Sequence, residues 1–216
     1  MRREFRPDLY LVTDRVLSRG RPVRDIVSAA VRGGVTMVQL REKELPRSRF
    51  ITQAGEIKEI LAGSGIPLII NDDVEVALAV DADGVHLGRD DMPCSGARKL
   101  LGEDKIIGLS VESVQDAGKA EETEADYLGI SPVFLTPTKR ELTRELGLEG
   151  VSAIRAASGK PLVGIGGLNN TNAAEVIKAG ADGVAVVSAI CSAEDPEYAA
   201  RELFEIIQRV KRQGKR

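Results

Sequence analysis

Short apolar runs recur along the chain, each followed by a polar loop and a longer segment with apolar positions three and four apart. The runs Leu9–Thr13, Met37–Arg41, Leu68–Asn71, Gly84–Leu87, Ile106–Ser110, Tyr127–Ser131, Leu162–Ile165 and Gly183–Val187 are rich in β-branched residues and leucine and predict strands. The intervening segments Val23–Arg32, Arg47–Ala62, Val74–Ala79, Ser113–Glu122, Leu148–Ala157 and Asn172–Ala179 predict helices. A last helix is expected over Pro196–Lys211, with its apolar stripe through Ala199, Leu203, Ile206, Ile207 and Val210. The turns Val80–Gly84 and Ala179–Gly183 are closely similar and read as isolated helix stops feeding a strand, not as parts of a long-period repeat.

Strict alternation of strand and helix implies parallel strands joined by crossover helices. Eight such units within about 200–250 residues match a single (β/α)8 barrel, which places reactive groups at the C-terminal ends of the strands. A doubly wound open sheet is the competing architecture. It calls for a dinucleotide fingerprint after an early strand, and Gly164-Ile165-Gly166-Gly167 has neither the pattern nor the position.

Composition narrows the setting. The 216 residues carry a formal net charge of -3, which argues against a general nucleic-acid binder. No apolar stretch reaches the roughly 20 residues that span a bilayer, and the start Met1–Arg6 lacks a secretory apolar segment. Cys94 and Cys191 form no metal or redox motif and read as reduced thiols, so a cytoplasmic protein is expected.

The chemistry concentrates where the barrel reading puts it. In Gln39-Leu40-Arg41-Glu42-Lys43, period two places Gln39, Arg41 and Lys43 on one face. Two cations at one strand end call for an anion: a phosphate group, or internal partners such as Glu42 and Glu44. Asn71-Asp72-Asp73 and Arg89-Asp90-Asp91 follow neighbouring strands. Each acidic pair could cap a helix, but together and facing the cations they suggest a Mg²⁺–polyphosphate site. His86, the sole histidine, reads as a hydrogen-bonded group near the barrel mouth or as a general base. Ser110 either meets substrate or caps the next helix. Thr136-Pro137-Thr138-Lys139 is a dense array of hydroxyls and an ammonium, and 140–147 could act as a lid. Gly164–Gly167 with Val187-Ser188, leading into a short helix near Ala189–Ala193, fits the phosphate position of such barrels.

With these motifs in order, the chain resembles the thiamine-phosphate synthase (thiamine-phosphate pyrophosphorylase) family from Leu9–Arg15 to the final helix. The resemblance implies joining a hydroxymethylpyrimidine diphosphate to a thiazole phosphate, with release of pyrophosphate. It implies that Gln39, Arg41, Lys43, Asn71, Ser110 and Lys139 hold the pyrimidine diphosphate, with Arg41, Lys43, Lys139 and Ser110 catalytic. Asp72 and Asp91 would carry one Mg²⁺ per site, leaving capping or supporting roles to Asp73 and Asp90. Thr136, Thr138, Gly167, Val187 and Ser188 would hold the thiazole phosphate. The expected partners are two small phosphorylated substrates, without nucleic acid or membrane, and a homo-oligomer is open. Glu42 is expected to face outward in an ion pair. Two rival readings are a thiazole tautomerase of the same fold, using His86 for proton transfer, and a non-catalytic phosphate-ligand sensor.

Overall fold

A computed structural model describes residues 4–136 and 145–214 and contains a closed barrel of eight parallel strands paired in chain order. The strands are β1 (Leu9–Val12), β2 (Met37–Leu40), β3 (Leu68–Asn71), β4 (Gly84–Leu87), β5 (Ile106–Val111), β6 (Tyr127–Ile130), β7 (Leu162–Ile165) and β8 (Gly183–Val186). Helices α1 (Val23–Arg32), α2 (Arg47–Leu61), α3 (Val74–Ala79), α4 (Cys94–Leu101), α5 (Val114–Glu121), α6 (Gly147–Ala157) and α7 (Ala173–Lys178) follow the first seven strands. After β8 come the short α8 (Ser188–Cys191) and the long α9 (Pro196–Gln213). The alternation read from the sequence is therefore the alternation of the fold. One helix, α4, was not anticipated; it lies between Pro93 and Gly102, whose φ of 81° suits only a residue without a side chain. No helix among the described residues is long and apolar enough to cross a membrane.

Period two sorts the strand side chains into two cores. Leu9, Leu11, Val38, Leu40, Leu68 and Ile70 face the helices, while Tyr10, Val12, Met37, Ile69, Ile106, Tyr127 and Val163 fill the barrel. Phe5 packs against Tyr127 with ring centroids 5.8 Å apart and closes the barrel from the N-terminal side.

The N-terminal rim of the barrel carries a fourfold device. The residue just before each even-numbered strand accepts a hydrogen bond from the backbone N–H at the start of the preceding odd strand. Thr36 Oγ1 accepts from Leu9 at 3.0 Å, and Asp83, Asp126 and Asp182 accept from Leu68, Ile107 and Leu162, each at 2.8 Å. The small residue before each cap (Val35, Ala82, Ala125 or Ala181) is buried. The two similar turns are thus members of a long-period pattern, contrary to the expectation from the sequence. Of its other two members, Val35-Thr36 differs in residue type, and Ala125-Asp126 keeps the pair but runs into Tyr127 instead of glycine, which hides the repeat. The even helices brace the same rim with cations. Lys58 on α2 donates to the Val80 and Asp81 carbonyls. Arg98 on α4 pairs with Asp126 at 2.7 Å and Arg155 on α6 with Asp182 at 3.0 Å, each also donating to backbone carbonyls. Gly183 opens β8 where a Cβ would lie 1.5 Å from the Pro7 carbonyl oxygen, so only glycine permits the strand ends to close there.

Candidate functional site

Polar groups that a closed hydrophobic barrel could not bury accumulate at its opposite, C-terminal end. They line a cavity of about 530 Å³, within the roughly 300–1,000 Å³ of small-molecule sites. Gln39, Arg41, Lys43, Asn71, Asp72, Asp91, Ser110, Thr136, Gly167, Val187 and Ser188 all contribute to its wall, so the dispersed sequence motifs meet in one place. Thr138 and Lys139, the remaining expected site residues, and most of the 140–147 segment expected as a lid lie outside the described residues.

The end of β2 supplies the cations. Gln39 is still inside the strand and is buried, with Nε2 donating to Tyr10 Oη at 2.9 Å. Arg41 and Lys43 follow the strand's last residue on the same side. Arg41 Nη1 reaches Asp14 Oδ2 at 3.2 Å, and Lys43 Nζ reaches Asp72 Oδ2 at 2.8 Å. Both cations have internal carboxylate partners, supplied by loops rather than by Glu42 or Glu44. Glu42 departs from the outward placement expected of it. Its side chain is only 4% exposed and lies 3.6 Å from Arg15. Burial pushes its carboxyl pKa up against the attraction of Arg15, and Oε1 has no hydrogen-bond partner among the described residues.

The acidic residues of the two loops take different places, with Asp72, Asp90 and Asp91 lining the cavity and Asp73 outside it. Asp73 caps α3 by accepting from Val76 N–H at 2.9 Å and also pairs with Arg47, which removes it from the cavity chemistry. Asp72 and Asp91 face one another. Asp72 sits at a left-handed φ of 64°, which is uncommon for a residue with a side chain. Its backbone N–H donates to the His86 carbonyl at 2.9 Å and holds that conformation. Burial raises the Asp72 pKa, but hydrogen bonds accepted from Lys43 and Asp91 outweigh it and leave the group below the usual carboxylate range. Asp91 moves the other way: burial and the Asp72 carboxylate raise it, against the Gly88 N–H that donates to Oδ2 at 2.6 Å. The two facing carboxyls thus shift in opposite directions because each feels the other, and a dication between them would favour the ionised form of both. Among the described residues no group of three or more acidic, histidine or cysteine side chains is arranged to hold a metal. Two facing carboxylates suit Mg²⁺, which takes oxygen ligands and keeps waters and substrate phosphates as its others.

The floor of the cavity is a polar layer that sequence reading only partly anticipated. His86 is hydrogen-bonded at both ring nitrogens, with Nδ1 2.9 Å from Tyr127 Oη and Nε2 2.9 Å from Ser110 Oγ. Ser110 is thus a cavity residue; the helix cap it might have provided comes from Ser113, which accepts from Asp116 N–H. Tyr10 and Tyr127 were missed. Their period-two placement inside the barrel was available, but the partners that give the hydroxyls a use lie on other strands. Across the mouth, Gly166 and Gly167 have φ of 105° and 64°. A side chain on either would meet the Pro132–Leu135 segment at about 3 Å, so local packing demands glycine independently of any ligand. In α8, Ile190 N–H is bonded to the Val187 carbonyl at 3.2 Å, which turns the chain just beside Ser188.

Comparison with known proteins agrees with this geometry. A family model described as thiamine monophosphate synthase matches residues 9–190. The chain is 53% identical over 202 residues to a thiamine-phosphate synthase of Albidiferax ferrireducens, covering 94% of this chain and 92% of that one. It is 49% identical over 199 residues to a thiamine-phosphate synthase of Chloroflexus aurantiacus, covering 92% of each. Among solved structures it is similar to a thiamine phosphate pyrophosphorylase from Pyrococcus furiosus, with 41% identity, a TM-score of 0.87, and 94% and 96% of the two chains covered. A 3-hexulose-6-phosphate synthase at 16% identity and a TM-score of 0.70 shares the fold alone.

Proposed function

This chain belongs to the thiamine monophosphate synthase family, and from that premise we propose how its cavity divides the work of the reaction. The protein is a transferase that joins a hydroxymethylpyrimidine diphosphate to a thiazole phosphate, giving thiamine phosphate and pyrophosphate. The whole chain acts as one barrel, with its chemistry at the C-terminal ends of the strands. Two free, buried cysteines without a disulfide between them accord with a cytoplasmic setting.

Gln39, Asn71 and Ser110 hold the pyrimidine, and Arg41, Lys43 and Lys139 hold its diphosphate. Thr136, Thr138, Gly167, Val187 and Ser188 hold the thiazole phosphate. Asp72 and Asp91 hold Mg²⁺, which when bound supplies positive charge for the departing pyrophosphate. The bond between the pyrimidine's methylene carbon and the bridging oxygen breaks, and its electron pair leaves with pyrophosphate. Electron donation from the aminopyrimidine ring supports the carbocation. The thiazole nitrogen then gives its lone pair to that carbon. Negative charge gathers on the leaving group, so preorganised cations are the main catalytic asset. Lys43 is 55% exposed and bonded to Asp72, free to exchange that partner for a phosphate oxygen. The observation that carries this reading is the convergence of Lys43, Asp72 and Asp91, which a one-substrate tautomerase has no use for.

The test mixes both substrates with and without Mg²⁺ and follows pyrophosphate release. Release that needs the thiazole partner and the metal is the expected result. Release without the thiazole phosphate, or indifference to metal, would count against the coupled synthesis.

A further inference from the structure

Five side chains from five strands form an unbroken hydrogen-bonded chain across the barrel. Gln39 Nε2 meets Tyr10 Oη, Tyr10 Oη meets Tyr127 Oη, Tyr127 Oη meets His86 Nδ1, and His86 Nε2 meets Ser110 Oγ, each at 2.9 Å. Such a chain has a direction, because each hydroxyl has one proton to give and an amide N–H can only donate. Gln39 gives its N–H to Tyr10, so the Tyr10 oxygen is already an acceptor. Were Tyr127 also to donate to it, the Tyr10 proton would be left without an acceptor in a side chain that is 1% exposed. Tyr10 therefore donates to Tyr127, and Tyr127 donates to His86 Nδ1. A nitrogen that accepts carries no proton, so the imidazole proton is on Nε2 and goes to Ser110. Ser110 accepts there, and its own proton is left for the cavity.

We propose that this one-way chain fixes His86 as its Nε2–H tautomer and makes Ser110 a hydrogen-bond donor toward the ligand, with Tyr10 and Tyr127 as positioning residues. Burial drives both phenol pKa values upward, so neither tyrosine loses the proton the chain needs. The barrel makes specific room for it. A Cβ on Gly108 would lie 2.1 Å from the Tyr127 ring, and one on Gly129 would lie 2.9 Å from His86 Cε1. At the opposite end, Gln39 has given its N–H to Tyr10 and keeps Oε1 as an acceptor. The two ends thus offer opposite senses, one accepting and one donating. That is the complement of an aromatic ring bearing an amino group and an unprotonated ring nitrogen. This use of the chain rests on the proposed function; the tautomer does not.

The single histidine makes the tautomer directly readable. The full-length protein is labelled with ¹⁵N-histidine, and long-range proton–nitrogen correlation spectra are recorded without ligand over a pH series that reaches the neutral ring. The expected spectrum has an unprotonated Nδ1 and a protonated Nε2. This pattern should survive Ser110→Ala, which removes only the receiving end, and collapse to a tautomer average in Tyr127→Phe. Tyr10→Phe cuts the chain one link earlier and serves if Tyr127→Phe does not fold. A protonated Nδ1 or an averaged ring in the wild type overturns the proposal. So does a tautomer that responds to Ser110→Ala but not to the tyrosine variants. In turnover assays Tyr127→Phe should lower kcat/KM for the pyrimidine diphosphate about tenfold, the scale of one misplaced hydrogen bond, with KM for the thiazole phosphate unchanged. An equal loss for both substrates overturns the positioning role. A wild-type protein without synthase turnover would overturn the proposed function instead, and the ligand-free spectrum would still decide the tautomer.

Discussion

Asp126→Asn isolates the charge of one rim cap while keeping its shape. In the native protein Asp126 Oδ2 accepts from Ile107 N–H at 2.8 Å and from Arg98 at 2.7 Å, and the two side chains of the ion pair are 2% and 8% exposed. Asparagine can still cap Ile107, but the guanidinium then has no counter-charge in a buried place. Losing one partner of a buried pair costs about 3–5 kcal/mol. Arg98 keeps the carbonyls of Gly102, Lys105 and Glu124 as acceptors, which argues for the lower end, about 3 kcal/mol. For a chain of this size that corresponds to a fall in Tm of about 6–12 °C. Thr36→Val at the equivalent position removes a neutral hydroxyl that bonds the N–H and carbonyl of Leu9, a loss of about 1–2 kcal/mol. Urea unfolding followed by far-ultraviolet circular dichroism ranks the two variants. Turnover per folded molecule should stay native in both, since the rim is at the far end of the barrel from the cavity. A cost below about 1 kcal/mol for Asp126→Asn, or one no larger than for Thr36→Val, would refute the argument from buried charge.

Lys43→Ala and Asp91→Ala should each lower turnover by a factor of about 100 or more while leaving the unfolding transition in place, measured as pyrophosphate release beside circular dichroism. Near-native rates in either would break the assignment of the leaving-group site. Gly129→Ala should fold and lose activity, because its methyl group would lie 2.9 Å from His86 and displace a ring held at both nitrogens; the same spectra used for the tautomer would show the shift. Iodoacetamide at about pH 8 should leave both thiols of the native protein unmodified and alkylate both after unfolding. Burial raises the Cys94 thiol and pushes Cys191 to about 11, so thiolate is scarce at that pH until the barrel opens. Rapid alkylation of the folded protein would contradict the buried placement.

The barrel was legible because one physical requirement repeats: strands enclosed between a barrel core and a helix layer read as short apolar runs, and the crossover helices between them carry an apolar stripe. The helix α4 escaped because its eight residues include Arg98 and Lys99, which blur the stripe, and Arg98 proves to be buried. At the site, residues in strand-end motifs such as Gln39, Asn71 and Ser110 could be found by position alone. Their partners could not. Asp14 lies 27 residues from Arg41 and Tyr127 lies 41 residues from His86, separations that only closure of the barrel brings into contact. Glu42 failed for a related reason. Alternation puts it on the opposite face from Arg41 and Lys43, but beyond the strand's end that face is covered, so the side chain is buried beneath the half-exposed Arg15 instead of reaching water.

The four rim caps also define where the molecule is divisible. Each joins residues only 27, 15, 19 and 20 positions apart, so each closes within its own strand–helix–strand segment. The contact that must wait for the whole chain is the seam, where Leu9 pairs with Val184 and the Val184 N–H reaches the Asp8 carbonyl at 3.1 Å. Local segments of this kind are the ones that form early, and the seam is the step with the largest loop to close. A circular permutant opened between α2 and β3, with the original ends linked, would keep every cap intact. It would turn the present seam into a short-range pairing and make the junction of β2 with β3 the last to shut.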